Sequence, residues 1–304
     1  PGFMRALIDL LVRSSVDYVR VRPGVYCRRI EWAALAPWER YLARVHAYAL
    51  AHPDAIFCLE SAAVLLGMPI FDEPRDIHVL DLVGGRSHRR GDVCTHSSAE
   101  PAALRFGELV TTDIPDTALD LVRVLPPAFG LAVADAALRL RRDMTGAILL
   151  EKTAEQSARR GVARLRWVLP RADAQAESVG ESVSRAVIEW SGFPQPECQV
   201  EFHAEGFTDR VDFFWRRYRA IGESDGWGKY GLSGRDPIRA LRDEKTREDR
   251  LRRQVDGFGR WDWSDTLRIE PLQRKVASAG VPQLHPVQTA MLATLSRNPR
   301  SSRA

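Results

Sequence analysis

Two neighbouring strand-like segments carry three carboxylates, and this pattern limits the possible folds of the chain more than any other. Residues 210–215 hold Asp212 among aromatic and β-branched residues, a composition that favours a strand. Glu223 and Asp225 follow in residues 220–226, where strand alternation points both side chains to one face. Acids that converge at strand ends need a compensating charge, which Mg²⁺ or Mn²⁺ would supply. The alternative is a solvated hairpin rim, because acids at strand ends are common.

The surrounding segments predict an order of elements: helix, three strands, helix, strand. Residues 180–190 place Val183, Val187 and Trp190 on one helical stripe, and Gly192 ends that helix. Strands are expected at 199–203, 210–215 and 220–226, followed by a long helix at 238–255 and a last strand that holds Trp261 and Trp263 on one face.

Six motifs stand in register along this part of the chain: GESVSR, RVDFFW, GESDG, KYG, EKTREDRLRR and RWDW. With them, residues 177–267 resemble the very-short-patch-repair-like endonuclease domains of actinobacterial proteins, which belong to the PD-(D/E)XK superfamily. The resemblance implies that Asp212 and Glu223 are metal ligands and that Asp225 is a third acid at the metal. It also implies that Glu181, on the first helix, holds a metal-bound water.

The resemblance is incomplete at the position of the catalytic lysine. In the wider superfamily a lysine stands two residues after the second acid, and here that position is Asp225. Lys229 or Lys245 could supply the positive group about 3 Å from the developing charge, although an ordinary surface lysine is the alternative for Lys229. Gly222 and Ser224 also differ from the apolar residues expected in a buried strand.

Residues 239–253 combine many arginines with several acids. Most of this charge is expected on a solvated helix face with pairs such as Glu248 and Arg252. The rival interpretation is contact with DNA phosphates. Under that interpretation the candidate DNA contacts are Lys245 and Arg247, with Arg185 on the first helix.

The start of the chain has a second signature. Residues 18–26 alternate apolar with basic residues and turn at Pro23-Gly24, after the expected end of a helix at 7–12. This segment resembles the truncated winged-helix start of type IV toxin–antitoxin AbiEi-family antitoxin-like proteins, as does the helix around LESAAVLLGMP. Arg20, Arg22 and Arg28 are therefore candidate DNA contacts, and a plain edge hairpin is the alternative.

These patterns predict a mixed α/β protein with four parts. A partial winged helix is expected at 1–28, an antitoxin-like α+β domain at 29–170, an endonuclease-like αβββαβ domain at 171–275, and a disordered tail at 276–304. The boundary is placed near residue 170 because the hydrophobic pattern is lost there.

Composition excludes several classes of protein. No apolar run approaches the roughly 20 residues that a membrane span needs, and no signal peptide is visible. The 4 cysteines are scattered without a C-x-x-C pair, which predicts reduced thiols in the cytoplasm and no structural zinc. A net charge of +4 permits binding to nucleic acid without requiring it.

Two functions of different classes are consistent with these observations. The first is a metal-dependent DNA endonuclease in a defence or toxin–antitoxin setting. The second is a DNA-binding, antitoxin-like transcriptional regulator whose nuclease-like domain is inactive. All four acids are present, which favours the enzyme, while the missing adjacent lysine favours the regulator. A homodimer and a complex with a partner toxin–antitoxin protein are the assemblies that fit either function.

Overall fold

The structure, a computed structural model, describes residues 17–82, 86–97, 103–155, 159–225, 237–296 and Arg300, with backbone only at 103, 106, 155 and 237–241. These residues form a mixed α/β protein. They make two compact units, one that runs to Leu121 and includes Arg300, and one that runs from Val122 to Ser296. None of the described helices has the length and apolar character that crossing a membrane requires.

The first unit begins with the basic hairpin and two helices. These elements are β1 (Tyr18–Arg22), β2 (Val25–Arg28), α1 (Arg29–Ala34) and α2 (Pro37–Ala51). The strands are antiparallel, and Gly24 makes the turn with φ 79°, in the left-handed region that glycine adopts without strain. The hairpin predicted from the sequence is therefore confirmed, while the helix expected at 7–12 lies outside the described residues.

A mixed sheet forms the centre of the first unit. Its strands are β3 (Ile56–Phe57), β4 (Ile77–Asp81), β5 (His88–Arg90), β6 (Val93–Ser97), β7 (Ala103–Phe106) and β8 (Leu109–Thr112), in the order β5-β6-β4-β3-β8-β7. Helix α3 (Leu59–Leu65) follows β3, and α4 (Ile114–Val124) follows β8. Tyr41 and Val45 of α2 are buried with Phe57 and Ile77 of the sheet. Residues 88–90 form an edge strand that pairs with β6 in antiparallel orientation.

The second unit contains a four-stranded sheet flanked by helices. Its helices are α5 (Pro127–Leu140), α6 (Gly146–Glu155), α7 (Val162–Val168), α8 (Val179–Trp190), α9 (Pro237–Arg252), α10 (Trp263–Arg268), α11 (Glu270–Ser278) and α12 (Thr289–Leu292). Its strands are β9 (Glu197–Ala204), β10 (Phe207–Trp215), β11 (Ala220–Asp225) and β12 (Gly257–Asp262), in the order β12-β11-β10-β9. β10 is antiparallel to both of its neighbours, whereas β12 runs parallel to β11. The expectation that Trp263 lies on the last strand is wrong, because Asp262 ends β12 and caps α10, which begins at Trp263.

Trp261 explains why β11 carries a glycine in its centre. The Trp261 ring is 1% exposed and stacks on Phe213, with ring centroids 5.5 Å apart. Its Nε1 donates to Ser184 Oγ on α8 at 2.9 Å. A Cβ atom on Gly222 would lie 2.5 Å from Trp261 Cη2, closer than any side chain tolerates. Gly222, which departs from the residues expected in a buried strand, is thus required by the packing of α8 and β12 across β11.

The two units divide the chain at Leu121 and Val122, whereas the sequence pattern predicted a boundary near residue 170. The difference arises because α5 packs against α8. Asp135 of α5 is fully buried and accepts a hydrogen bond from Arg185 of α8 at 3.1 Å, and Arg139 donates to the Ala176 carbonyl. The helices before residue 170 therefore complete the core of the second unit.

Residues 276–296 were expected to belong to a disordered tail, but the structure shows them hydrogen-bonded to the rest of the second unit. Leu284 and His285 donate their backbone N–H groups to the Gly192 carbonyl at 2.8 and 3.0 Å, and Gln288 donates to the Trp190 carbonyl at 2.7 Å. Carbonyls at the end of a helix have no partner within the helix, so this segment satisfies the end of α8. Local composition did not reveal that role.

We predict that Gly222→Ala lowers the free energy of unfolding by about 1–3 kcal/mol, because the added methyl group overpacks the Trp261 ring. Urea unfolding followed by Trp fluorescence measures the change. Gly130→Ala in α5 is the matched control, since its Cβ would meet only ordinary contacts of 3.5 Å and longer. Equal stability of Gly222→Ala and wild type would contradict this account of the strand.

Candidate active site

Asp212 ends the regular pairing of β10 with β11. The ladder runs as far as Phe213 and Gly222, and the next backbone donor, Ser224 N–H, donates to Asp212 Oδ2 at 2.8 Å. On the other side of β10, Gln199 adopts φ 55°, a left-handed conformation that is uncommon for a residue other than glycine. Backbone conformations of this kind cluster at functional sites. The position of Asp212 is therefore irregular on both sides.

Glu181 reaches the same region from the first turn of α8. Ser178 caps this helix by accepting the Glu181 N–H at 3.1 Å. The Glu181 side chain is 5% exposed, and its Oε2 accepts from Gln199 Nε2 at 2.8 Å. A Cβ on Gly180 would be 3.0 Å from Ser224 Oγ, so this turn touches β11 beside Glu223. The sequence offered no signal for Gln199, because its role depends on the pairing of β9 with β10.

Glu223 is buried and forms an ion pair with Arg247. Its side chain is 2% exposed, and Arg247 of α9 donates to both carboxylate oxygens, at 3.0 and 3.4 Å. Arg247 Nη2 also donates to the Arg210 carbonyl at 2.6 Å. Burial alone would lower the pKa of Arg247, but the hydrogen bonds and charge of Glu223 outweigh it and raise that pKa. Arg247, predicted to contact DNA, is thus held inside the site.

Asp225 faces Arg260, a residue that sequence reasoning did not single out. Arg260 Nε lies 3.3 Å from Asp225 Oδ2, and the same guanidinium pairs with Glu244 and Glu248 of α9. The Arg260 Nε is buried without a hydrogen-bond partner among the described residues. Alternation in RWDW, which buries Trp261, was the available signal that Arg260 points to the opposite face from the core.

The remaining predicted site residues lie in different surroundings. Lys229 falls outside the described residues, and Lys245 is exposed on α9. Arg185 does not face the acids or an open surface: its side chain is 11% exposed and pairs with Asp135. Its predicted contact with DNA therefore conflicts with its burial, because a phosphate could not reach a guanidinium enclosed between two helices.

The three arginines of the basic hairpin differ in exposure. Arg22 donates to Asp92 at 2.7 Å and lies over the Tyr48 ring, 5.0 Å from its centroid. Arg20 is exposed, and Arg28 is exposed beside Glu31 at 3.8 Å. The geometry leaves Arg20 and Arg28 as the candidates for phosphate contact.

The acids of the second unit are close in the fold but are engaged with other groups. Among the residues that the structure describes, no three His, Cys, Asp or Glu side chains stand together in an arrangement that could hold a metal ion. The structure therefore does not place the carboxylates of Asp212, Glu223 and Asp225 together as a preformed metal site. Cys27, Cys58, Cys94 and Cys198 are free cysteines in the structure.

Comparison with known proteins identifies relatives of this chain. Two proteins of Mycobacterium tuberculosis, the uncharacterized proteins MT2308 and Rv2248, are each 35% identical to it over 223 residues, which span 72% of the chain and 77% of the relative. The chain belongs to the same family as these mycobacterial proteins. No protein-family model and no solved structure matches it.

The pair of Arg185 and Asp135 generates a prediction on pH dependence. Burial raises the pKa of Asp135 to about 6, and the charge of Arg185 only partly counters this. Because the folded state holds this proton more tightly than the unfolded state does, the contribution of Asp135 is full below pH 3.8 and is lost as the pH rises through about 6. The loss amounts to about 3 kcal/mol, at about 1.4 kcal/mol per pH unit.

We therefore expect the difference in unfolding free energy between wild type and Asp135→Asn to fall as the pH rises from about 4 to about 6.5. Urea denaturation at several pH values measures this difference. Asp54→Asn, at an exposed acid of the first unit, should show a constant difference over the same range. A constant difference for Asp135→Asn as well would be inconsistent with the buried pair.

Proposed function

We propose that this chain is a cytoplasmic, metal-dependent DNA endonuclease that hydrolyses phosphodiester bonds at the acids around Ser224. One observation carries the proposal: β10 and α8 both meet β11 at this residue. Asp212 accepts the Ser224 N–H, and Gly180, beside Glu181, packs against the Ser224 side chain. The succession of α8, three antiparallel strands, α9 and a parallel β12 also supports the resemblance to PD-(D/E)XK endonucleases.

The donor atoms fit Mg²⁺ or Mn²⁺ in kind. Hard cations bind carboxylate oxygens, and Mg²⁺ commonly uses only one or two protein carboxylates together with waters and phosphate oxygens. Asp212 and Glu223 would hold the ion, with Asp225 next to them. When bound, the ion would polarise the scissile phosphate and would lower the pKa of the attacking water.

The other residues of the site have roles that follow from their contacts. Gln199 fixes Glu181 through Oε2, which orients the carboxylate so that Oε1 can accept a proton from the attacking water. Arg247 would exchange Glu223 for a phosphate oxygen, since a guanidinium binds carboxylate and phosphate in the same fork geometry. Arg260, which pairs with Asp225, would supply the positive charge that a lysine at the Asp225 position would have provided.

Plasmid nicking tests the proposal. We expect wild-type protein to convert supercoiled DNA to open circles in Mg²⁺ or Mn²⁺, and Asp212→Asn to be slower by about 100-fold or more. Asn keeps an oxygen to accept the Ser224 N–H, so the fold should persist. Glu201→Gln, at an exposed acid of β9, is the matched control and should cut like wild type.

A measurement of Mn²⁺ binding separates a variant that no longer binds metal from one that binds metal but no longer cleaves DNA. Mn²⁺ should raise the melting temperature of wild type and of Glu201→Gln but not that of Asp212→Asn, because a ligand that binds only the folded state stabilises it. No cleavage by the folded wild-type protein with either metal would rule out the endonuclease, as would equal cleavage by Asp212→Asn.

The second candidate function is a DNA-binding regulator with an inactive nuclease-like domain. The specific observation in its favour is the ion pair of Glu223 with Arg247, which uses both carboxylate oxygens of a predicted metal ligand. A buried carboxylate held in this way is stable without metal. In this function the exposed arginines of the hairpin would contact the DNA backbone.

Salt dependence tests the hairpin. The double variant Arg20→Gln/Arg28→Gln should weaken binding to duplex DNA and reduce the slope of log K against log salt by about 2, or about 1 for each lost phosphate contact. Fluorescence anisotropy at several salt concentrations measures the slope. Arg105→Gln, which removes one exposed arginine on β7, is the control for loss of positive charge outside the hairpin. An unchanged slope in the double variant would mean that the hairpin does not bind DNA.

A further inference from the structure

A buried carboxylate of the first unit binds an arginine that is distant in sequence. Glu60 lies on α3, a helix whose residues are mostly buried, and its side chain is itself only 4% exposed. Arg300 donates Nη2 to Glu60 Oε2 at 2.6 Å and donates Nε to Oε1, so the guanidinium makes a two-point contact. The Arg300 carbonyl accepts the Arg75 N–H at 3.0 Å. Both the side chain and the main chain of Arg300 are therefore recognised.

Two histidines on strands of the sheet extend the hydrogen bonds made by Arg300. Arg300 Nη2 is 3.2 Å from His78 Nε2, and His78 Nδ1 is 2.9 Å from His96 Nε2. A guanidinium can only donate, so His78 Nε2 must accept and the ring must carry its proton on Nδ1. That proton is donated to His96 Nε2, which must also lack a proton. Bound Arg300 thus selects the neutral form of the histidine pair.

Glu60 can accept a hydrogen bond from His78 in place of one from Arg300. The Glu60 Oε2 that accepts from Arg300 is only 3.4 Å from His78 Nε2. Without Arg300, a proton on His78 Nε2 would point at this carboxylate and would neutralise part of its charge. An arginine and a proton on His78 therefore compete for the same buried oxygen.

The charges around the histidine agree with this competition. Burial lowers the pKa of His78 to about 4, and burial also lowers the pKa of His96. Burial alone would raise the pKa of Glu60, but the hydrogen bonds and charge of Arg300 outweigh it and lower that pKa. The titratable and charged groups that face His78 are Glu60 on α3, Arg300, His96 on β6, and Asp76 before β4.

The walls of this site are held by a second hydrogen-bond network. Tyr41 of α2 donates to the Asp76 carbonyl at 2.8 Å, and Ser61 Oγ lies 2.8 Å from the Tyr41 hydroxyl. Ser61 Oγ also accepts the His78 N–H at 2.8 Å. Since Tyr41 and Ser61 are fully buried, the positions of Glu60 and His78 do not depend on Arg300 alone. A site with fixed walls can exchange its occupant.

We propose that Glu60, His78 and His96 form a binding site for an arginine side chain, which Arg300 occupies within the chain and leaves when the histidine pair gains a proton. Arginine suits the site better than lysine, because only the guanidinium contacts both Glu60 oxygens and His78 Nε2 at once. The occupant is Arg300 of this chain, and its release would make the site available to Arg300 of a second copy.

Binding of a labelled peptide tests the site in the full-length chain. The probe is the sequence of residues 296–304, SRNPRSSRA. The variant Arg300→Gln, whose site is open, should bind it at least about tenfold more tightly than wild type, in which the site is already filled. Adding Glu60→Gln to Arg300→Gln should reduce that binding by about tenfold or more. Glu108→Gln, an exposed acid, added to the same background should leave it unchanged.

The peptide and the pH supply the decisive comparisons. A peptide with Gln in place of Arg300 keeps Arg297 and Arg303 and should bind at least about tenfold more weakly. Lowering the pH from about 7.5 to about 5.5 should weaken binding of the original peptide by up to about tenfold per pH unit. Equal binding of both peptides, pH-independent binding, or no binding by folded Arg300→Gln would overturn the proposal. If Arg300→Gln does not fold, Arg300→Lys replaces it, because Lys keeps the charge but not the fork.

Discussion

The hydrogen bond from the Ser224 N–H to the Asp212 carboxylate determines the geometry of the candidate active site. The Asp212 side chain, and not a backbone carbonyl of β10, accepts the Ser224 N–H. The backbone pairing between β10 and β11 therefore ends at Phe213 and Gly222. Buried backbone donors must find an acceptor, which makes Asp212 structural as well as a candidate ligand. The turn that carries Glu181 then fits against Ser224, because Gly180 has no side chain.

Each of three buried acids is balanced by an arginine from a distant element. Glu223 pairs with Arg247, Asp135 with Arg185, and Glu60 with Arg300. The outcomes differ because the contacts differ. Burial raises the pKa of Asp135, which has one contact with its arginine at 3.1 Å. For Glu60, two hydrogen bonds from one guanidinium outweigh burial and lower the pKa. Asp135 also accepts from the Asp173 N–H at 2.8 Å, so what separates the two acids is the two-point contact of Glu60 with a charged guanidinium.

Periodicity in the sequence predicted the elements that carry the site. The stripe of Val183, Val187 and Trp190 is buried on α8, and the aromatic run around Asp212 forms β10. Glu223 was expected on the next strand and lies there, because a short connection between two strands forces them to be neighbours. The roles of Gln199, Arg260 and Arg185 were missed or misjudged. Each depends on a partner far along the chain, and local patterns carry no information on such partners.

By itself, the sequence determined which residue types lie on which strand or helix, since hydrophobic spacing and turn residues act over a few positions. It therefore indicated α8, β10 and β11, the acids that they carry, and the basic hairpin at Gly24. Tertiary structure decided how those acids are balanced, where the second unit begins, and that the residues after 276 close the end of α8. These features rest on contacts between distant residues, and burial sets their energies. Only the folded chain brings such residues together and removes them from water.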